Sequence, residues 1–121
     1  MSALAGISAA SKGYLLDEYT GAVAAFSTRQ ISRGYTGFAM KVRESGADEE
    51  ADVSFDPTGA VSLSSPVSNL TGGTGATLGA WVSSNSAHLV TWYDQASINN
   101  ATQTTDALQP LVVDTGSLRT Q

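Results

Sequence analysis

The side chains best suited to chemistry are few and scattered along the chain. There is one histidine, His88, and no cysteine, so a conventional transition-metal site lacks its ligand set and a thiolate nucleophile is excluded. The acidic run from Asp48 to Asp52 lacks the spacing of a calcium loop and indicates a solvated turn. A glycosidase would need two carboxylates about 5 to 9.5 Å apart, whereas Asp94 is the one acid in a strongly apolar segment. We therefore expect no catalytic residue, no metal and no cofactor.

Asp94 follows the aromatic pair Trp92 and Tyr93 at the end of a predicted strand. A carboxylate in apolar surroundings is costly unless it is paired, and Arg29 and Arg43 are the natural donors. The sequence therefore predicts a structural ion pair between Asp94 and these arginines.

A different interpretation of the same segment is sugar binding. Trp92 and Tyr93 followed by the amides of Asn99 and Asn100 combine stacking rings with hydrogen-bonding groups. The simpler interpretation places both rings in the core beside a polar turn. The two differ in ring exposure, because a sugar platform needs at least one ring that faces solvent.

Composition limits the partners of the chain. The 121 residues, 41% hydrophobic and 14% charged, predict one folded domain. Six Lys and Arg face eleven Asp and Glu for a net charge of -5, so nucleic acid is a poor partner. No run approaches the roughly 18 apolar residues that span a bilayer, so we expect no membrane partner.

Mostly short β elements must position these side chains. Leu16, Tyr19, Val23 and Phe26 recur at spacings of three and four, which predicts a helix over residues 21–32. Alternation predicts antiparallel strands over 36–43 and 51–56, joined across the acidic turn. Further on, the pattern predicts a short strand at Val61 and Leu63, a helix that begins after Thr74 or Thr77, a central strand over 88–94, a polar loop over 95–105 and a last strand over 108–113.

These elements predict a mainly β fold with one or two short helices (α+β), a small antiparallel sheet or sandwich-like domain. We assign residues 14–121 to this single domain. Residues 1–13 are rich in Ala, Ser and Gly without periodicity, which is typical of an extended N-terminal arm that becomes ordered on a partner surface.

Four segments carry a family resemblance through their order and spacing. They are Ala24–Arg29, Tyr35–Ser45, Val90–Gln95 and Asn99–Gln103. Together they resemble the first part of the arabinofuranosidase B catalytic domain, and the succession is similar to a module of bacteriophage tail, fibre and other virion proteins. The family's nucleophile and acid lie beyond the matched region, so the resemblance implies no catalytic residue here.

We therefore expect a non-enzymatic bacteriophage virion protein, either a capsid decoration protein or a component of a spike, fibre or tail. It would dock on other virion proteins as a homo-oligomer, in particles assembled in the host cytoplasm. The predicted partner-binding residues are Ser2, Ala3, Leu4, Ile7 and Leu15. The alternative is a carbohydrate-binding module for a host surface glycan. It would use Trp92, Tyr93, Asn99 and Asn100.

Overall fold

The computed structural model describes residues 13–119, whose strands belong to one antiparallel sheet. The strands are β1 (Met40–Glu44), β2 (Glu50–Val53), β3 (Val67–Ser68), β4 (Ala87–Trp92), β5 (Ala101–Thr102), β6 (Leu111–Asp114) and β7 (Ser117–Leu118). The helices are α1 (Leu15–Glu18), α2 (Leu78–Val82) and a single 3₁₀ turn (Asp106–Leu108). The strand order is β3-β2-β1-β4-β6-β7, and β5 also pairs with β4. This architecture confirms the predicted fold class, a mainly β domain with two short α-helices.

The β1–β2 hairpin forms across the acidic turn, as the alternating pattern predicts. Met40 pairs with Val53 and Val42 pairs with Ala51 in antiparallel register. All four side chains are buried, because residues two apart on a strand share one face. The hairpin thus supplies four buried side chains to the hydrophobic core.

Glu44 closes the turn of this hairpin from the end of β1. Its buried carboxylate accepts hydrogen bonds from the backbone N–H groups of Gly46 and Ala47, both at 2.7 Å, and from Asn85 Nδ2 at 3.0 Å. Burial acts to raise the pKa of Glu44, but these hydrogen bonds outweigh burial and hold the pKa below its ordinary value. No pattern in the sequence marks this acid.

β4 is the central strand, as its apolar character on both faces predicts. β1 pairs with one edge of β4. β5 pairs with the other edge at Thr91 and Trp92, and β6 pairs with that edge at Ala87 and His88. Shifts of register in both the β1–β4 and β4–β6 pairings interrupt the ladder, which bends a sheet.

α2 packs on the core side of the sheet. Its buried side chains, Leu78, Trp81 and Val82, join the hydrophobic cluster that the sheet contributes. The Thr77 side chain caps the helix by accepting a hydrogen bond from the backbone N–H of Ala80 at 3.3 Å, which confirms the second of the two predicted starts. Within the described part of the chain, no helix combines the length and the apolar character needed to cross a membrane.

The predicted helix over residues 21–32 is wrong. This range is a loop with a single bridge residue, and the helical turn of the region, α1, ends before it. Gly21 has a φ of +90°, and the backbone N–H groups of Ala25 and Ile31 donate to the side chains of Asp94 and Gln95. Long-range hydrogen bonds therefore satisfy groups that a helix would have paired locally.

Two strand predictions before α2 need correction. β1 begins at Met40 rather than at residue 36, because Tyr35 Oη donates to the Phe38 carbonyl at 2.6 Å and residues 35–38 form a loop. The predicted strand at Val61 and Leu63 is absent from the described chain. The region instead contains an isolated bridge between Arg29 and Ala60, and β3 follows later.

The C-terminal part also differs from the prediction. The predicted loop over 95–105 contains β5, and the last predicted strand, over 108–113, begins at Leu111 because a 3₁₀ turn and Pro110 precede it. β7 was not predicted. It follows a two-residue turn in which Thr115 and Gly116 have φ values of +46° and +85°, the signature of a tight hairpin turn.

Candidate functional site

Asp94 lies just after β4, and its side chain is buried, with 1% exposed. Its Oδ1 accepts hydrogen bonds from the backbone N–H groups of Ala25 and Ala96, both at 2.8 Å, and its Oδ2 accepts one from Asn99 at 3.1 Å. Burial acts to raise the pKa of Asp94, but the backbone hydrogen bonds outweigh burial and lower the pKa. The carboxylate is therefore held ionised, and it joins the segment around Ala25 to the loop that follows β4.

The predicted ion pair of Asp94 with Arg29 and Arg43 does not form. None of the ion pairs within residues 13–119 includes Asp94. Arg43 on β1 instead pairs with Asp48 at 2.6 Å and with Asp106 at 3.4 Å, and Arg29 is exposed. Backbone amides satisfy the carboxylate in place of the guanidinium groups, because the loops fold around it.

Gln95 ties down the same N-terminal segment. Its side chain is buried; Oε1 accepts from the backbone N–H of Ile31 at 2.8 Å, and Nε2 donates to the carbonyl of Arg29 at 2.7 Å. Its backbone N–H donates to the carbonyl of Ala25 at 2.8 Å. We call Asp94 and Gln95 the anchor, since together they hold residues 25–31 against the end of β4.

Large apolar side chains are exposed on the chain segments that flank the anchor contacts, namely α1 with the residues after it and the loop after β4. They are Leu15 (55% exposed), Tyr19 (67%), Val23 (79%) and Ile98 (89%), and we call them the end surface. Asn99 Nδ2 donates to the Val23 carbonyl at 2.9 Å, which brings Val23 beside the loop that carries Ile98. Tyr19 and Ala96 line one shallow depression. A cluster of exposed apolar side chains, unlike a single one, is typical of an interaction surface.

The two aromatic residues of the sugar-binding interpretation point to opposite faces of the sheet. Trp92 packs against Phe26 with ring centroids 6.0 Å apart, and its Nε1 donates to a backbone carbonyl at 3.4 Å. Tyr93 packs against Phe38, and its Oη donates to Asp52 Oδ1 at 2.6 Å. Burial first, and then the Asp52 carboxylate, raise the pKa of Tyr93, so the phenol stays neutral and donates. Both rings are half-buried.

The amides of the sugar-binding interpretation are engaged within the fold. Asn100 Oδ1 accepts from the backbone N–H of Asp94 at 2.9 Å, and the Asn99 side chain donates to the Val23 carbonyl. Asn99 and Asn100 therefore position the loop after β4. Because Trp92 and Tyr93 point to opposite faces of the sheet, the four residues do not share one surface.

The remaining chemical candidates are also separated. His88 lies opposite Arg43 in the sheet, and its Nδ1 is buried without a hydrogen-bond partner in the described residues. Of the acidic run, Asp48 pairs with Arg43, while Asp52 is buried and accepts from Asn69 Nδ2 at 2.8 Å. Residues 13–119 contain no group of three His, Cys, Asp or Glu that could hold a metal ion.

The predicted partner-binding residues of the arm, Ser2, Ala3, Leu4 and Ile7, lie outside the described residues. Leu15 lies in α1 and belongs to the end surface. The chain therefore leads from the predicted arm directly into that surface.

Sequence reasoning missed a groove of about 650 Å³ beside β6 and β7. Its lining comprises Met40, Leu89 and Trp92 from β1 and β4, Pro110, Leu111, Val112, Leu118 and Arg119 from the β6–β7 region, and Thr28, Arg29 and Val61 from loops. Eight of these eleven side chains are apolar and two are arginines, and no acidic side chain lines the groove. The one sequence signal for this groove is Thr115-Gly116, which forms the turn between β6 and β7.

Comparison with known proteins finds no matching family model, no similar curated protein and no similar solved structure.

Proposed function

We propose that this chain is a non-enzymatic structural protein of a bacteriophage virion that docks on other virion proteins through its end surface. The observation that supports docking is the end surface itself, whose four large apolar side chains are more than half exposed. Burying apolar area gains roughly 25 cal/mol per Å², so such a cluster favours a partner. The virion setting, in a capsid, tail or fibre, comes from the family resemblance of the sequence.

The anchor makes this surface rigid before a partner binds. Asp94 hydrogen-bonds the amides of Ala25 and Asn99, so the segment that carries Val23 and the loop that carries Ile98 are fixed to each other. A preorganised surface loses less conformational entropy on association. The buried side chains of the anchor thus have a structural role that suits a binding protein, and this role requires no catalysis.

The arm extends the same proposal. Residues 2–7 precede α1, and Leu15 of α1 already lies in the end surface. Small side chains such as Ser2 and Ala3 suit an extended segment that lies along another subunit, with Leu4 and Ile7 as apolar contacts. In a symmetric assembly, a modest contact in each copy of a homo-oligomer is strengthened by avidity.

A double charge substitution tests the end surface. Val23→Asp with Ile98→Asp places two carboxylates in the proposed contact, and their desolvation would oppose docking. Particles that lack the chain are supplied with each purified variant, and the bound copies are counted by quantitative mass spectrometry. We expect the double variant to be absent from particles although its thermal unfolding stays cooperative.

Leu108→Asp is the matched control, because Leu108 is also an exposed apolar residue, at 66%, but it lies in the 3₁₀ turn away from the anchor. It should be incorporated like the unchanged chain. Normal incorporation of the double variant would refute docking through the end surface. A glycan array whose signal disappears in Trp92→Ala, with the fold retained, would support the carbohydrate-binding alternative instead.

A further inference from the structure

We propose that the groove beside β6 and β7 binds an extended peptide segment of another protein, in which a large apolar side chain lies next to a carboxylate. The groove shares no lining residue with the end surface, so the proposal is independent of docking at that end. Three features of the groove support it: its charge, the side chains that line it and the free edge of the sheet beside it.

The charge of the groove is opposite to that of the chain as a whole. Arg29 and Arg119 line it without any acidic neighbour in the lining, although the chain carries eleven acidic residues against six basic ones. Arg29 has no carboxylate within 4.0 Å in the described chain. Arg119 contacts Asp114 at 3.1 Å, but both of these side chains are exposed, and exposed pairs are weak. Both guanidinium groups are therefore suited to bind a carboxylate from a partner.

The apolar lining discriminates between classes of partner. A sugar is bound through several hydrogen-bonding side chains, whereas Thr28 is the one neutral polar side chain of this lining. Met40, Leu89 and Trp92 instead offer apolar contact from the sheet. A large apolar side chain of a peptide fits such a lining, with its neighbouring carboxylate at Arg29 or Arg119.

The sheet edge favours a peptide over a fatty acid. β7 is the last strand on this side, so the outer edge of its backbone pairs with no strand of the described residues. Leu118 of this strand lines the groove. A bound segment can use the N–H and C=O groups of the open edge as well as the apolar lining, which an alkyl chain cannot do.

The anchor positions one of the two arginines. Gln95 Nε2 donates to the carbonyl of Arg29 at 2.7 Å, and Arg29 forms the bridge with Ala60. The backbone that carries this guanidinium group is therefore fixed at the groove. Gln95 is a positioning residue in this proposal, and the arginines are the contact residues.

The test begins with a library of random displayed peptides, from which binders to the immobilised full chain are selected. The best binder is then synthesised and titrated into the chain, and the tryptophan fluorescence of the chain reports binding. We expect the selected peptides to share a large apolar residue beside Asp or Glu. Arg29→Gln and Arg119→Gln should each weaken binding about tenfold, and added salt should weaken it further. Arg33→Gln is the matched control, because Arg33 is exposed but does not line the groove; it should leave the affinity unchanged.

Several results would overturn the proposal. Selection of no peptide, or of peptides without acidic residues, would contradict it, as would an affinity that Arg29→Gln and Arg119→Gln leave unchanged. Binding of dodecanoate without any peptide would identify a lipid groove. Self-association in light scattering that Arg29→Gln abolishes would show that a second copy, rather than another protein, fills the groove.

Discussion

Replacing Asp94 with asparagine should remove a large part of the stability of the fold. An amide of the same shape keeps the oxygen that accepts from Ala25 and Ala96, but its NH₂ group then faces the N–H of Asn99. One hydrogen bond to a charged group, about 1.5–3 kcal/mol, is lost and two are weakened. Relief of the buried charge offsets part of this loss. We expect Asp94→Asn to lower the free energy of unfolding by about 3 kcal/mol at neutral pH.

The effect of this substitution should depend on pH in a defined direction. The folded state holds the pKa of Asp94 below its ordinary value, so the unfolded chain takes up the proton first as the pH falls. The stabilisation is therefore complete above the unfolded pKa, about 3.9 for Asp, and is lost as the pH falls through the lower folded pKa. The difference between the two proteins should thus shrink in acid. Glu44, whose pKa is also lowered, gives the variant a residual acid sensitivity of the same sign.

Urea denaturation followed by tryptophan fluorescence, at neutral pH and at steps below about pH 5, measures this difference. Amide hydrogen exchange at Ala25 and Asn99 adds a local readout, because these N–H groups donate to Asp94. Asp114→Asn is the matched control at an exposed ion pair and should cost about 1 kcal/mol or less. An Asp94→Asn loss no larger than that of the control, or one that stays constant in acid, would refute the assigned role of Asp94.

Three further predictions follow from local geometry and from the arm. Thr115→Asn should raise the free energy of unfolding by about 0.5–1 kcal/mol, because asparagine tolerates the positive φ before Gly116 better than a β-branched residue; a lower urea midpoint would contradict this. Gly75→Ala should cost about 1–3 kcal/mol in the same assay, since its Cβ would lie 2.7 Å from the backbone nitrogen of Trp81 at a φ of +139°; an unchanged midpoint would show that α2 yields easily. Deletion of residues 2–13 should leave thermal unfolding cooperative and abolish incorporation into particles; normal incorporation would exclude the arm from docking.

The elements that could be predicted from the sequence are those whose signal is local. The alternation around Val42 and Val53 predicts the β1–β2 hairpin. The apolar i, i+3, i+4 pattern predicts α2 with a start after Thr74 or Thr77, and Thr77 is its N-cap. The apolar character of both faces identified β4 as central. In each case the residues that carry the pattern also make the contacts, so periodicity and packing agree.

The predictions that failed depended on long-range backbone contacts. The spacing of Val23 and Phe26 indicated a helix, but Asp94 and Gln95, far away in sequence, bind the backbone of that segment. For the same reason the predicted ion pair of Asp94 with Arg29 and Arg43 is wrong. Side-chain types identify possible charged partners, whereas backbone amides occur at every position and carry no such signal. Of the apolar residues in that pattern, Tyr19 and Val23 belong to the end surface, whereas Phe26 packs against Trp92.

The anchor also links the two surfaces proposed for binding. Asp94 accepts a hydrogen bond from the backbone N–H of Ala25 next to the end surface, and Gln95 donates to the carbonyl of Arg29 at the groove. A carboxylate whose oxygens already accept three backbone hydrogen bonds, and whose pKa is lowered, is poorly suited to transfer protons near neutral pH. The anchor instead fixes the conformation of the loop over residues 23–29. This loop carries Val23 at one end and Arg29 at the other. Loss of the anchor should therefore weaken both contacts together, whereas each surface substitution should weaken only its own.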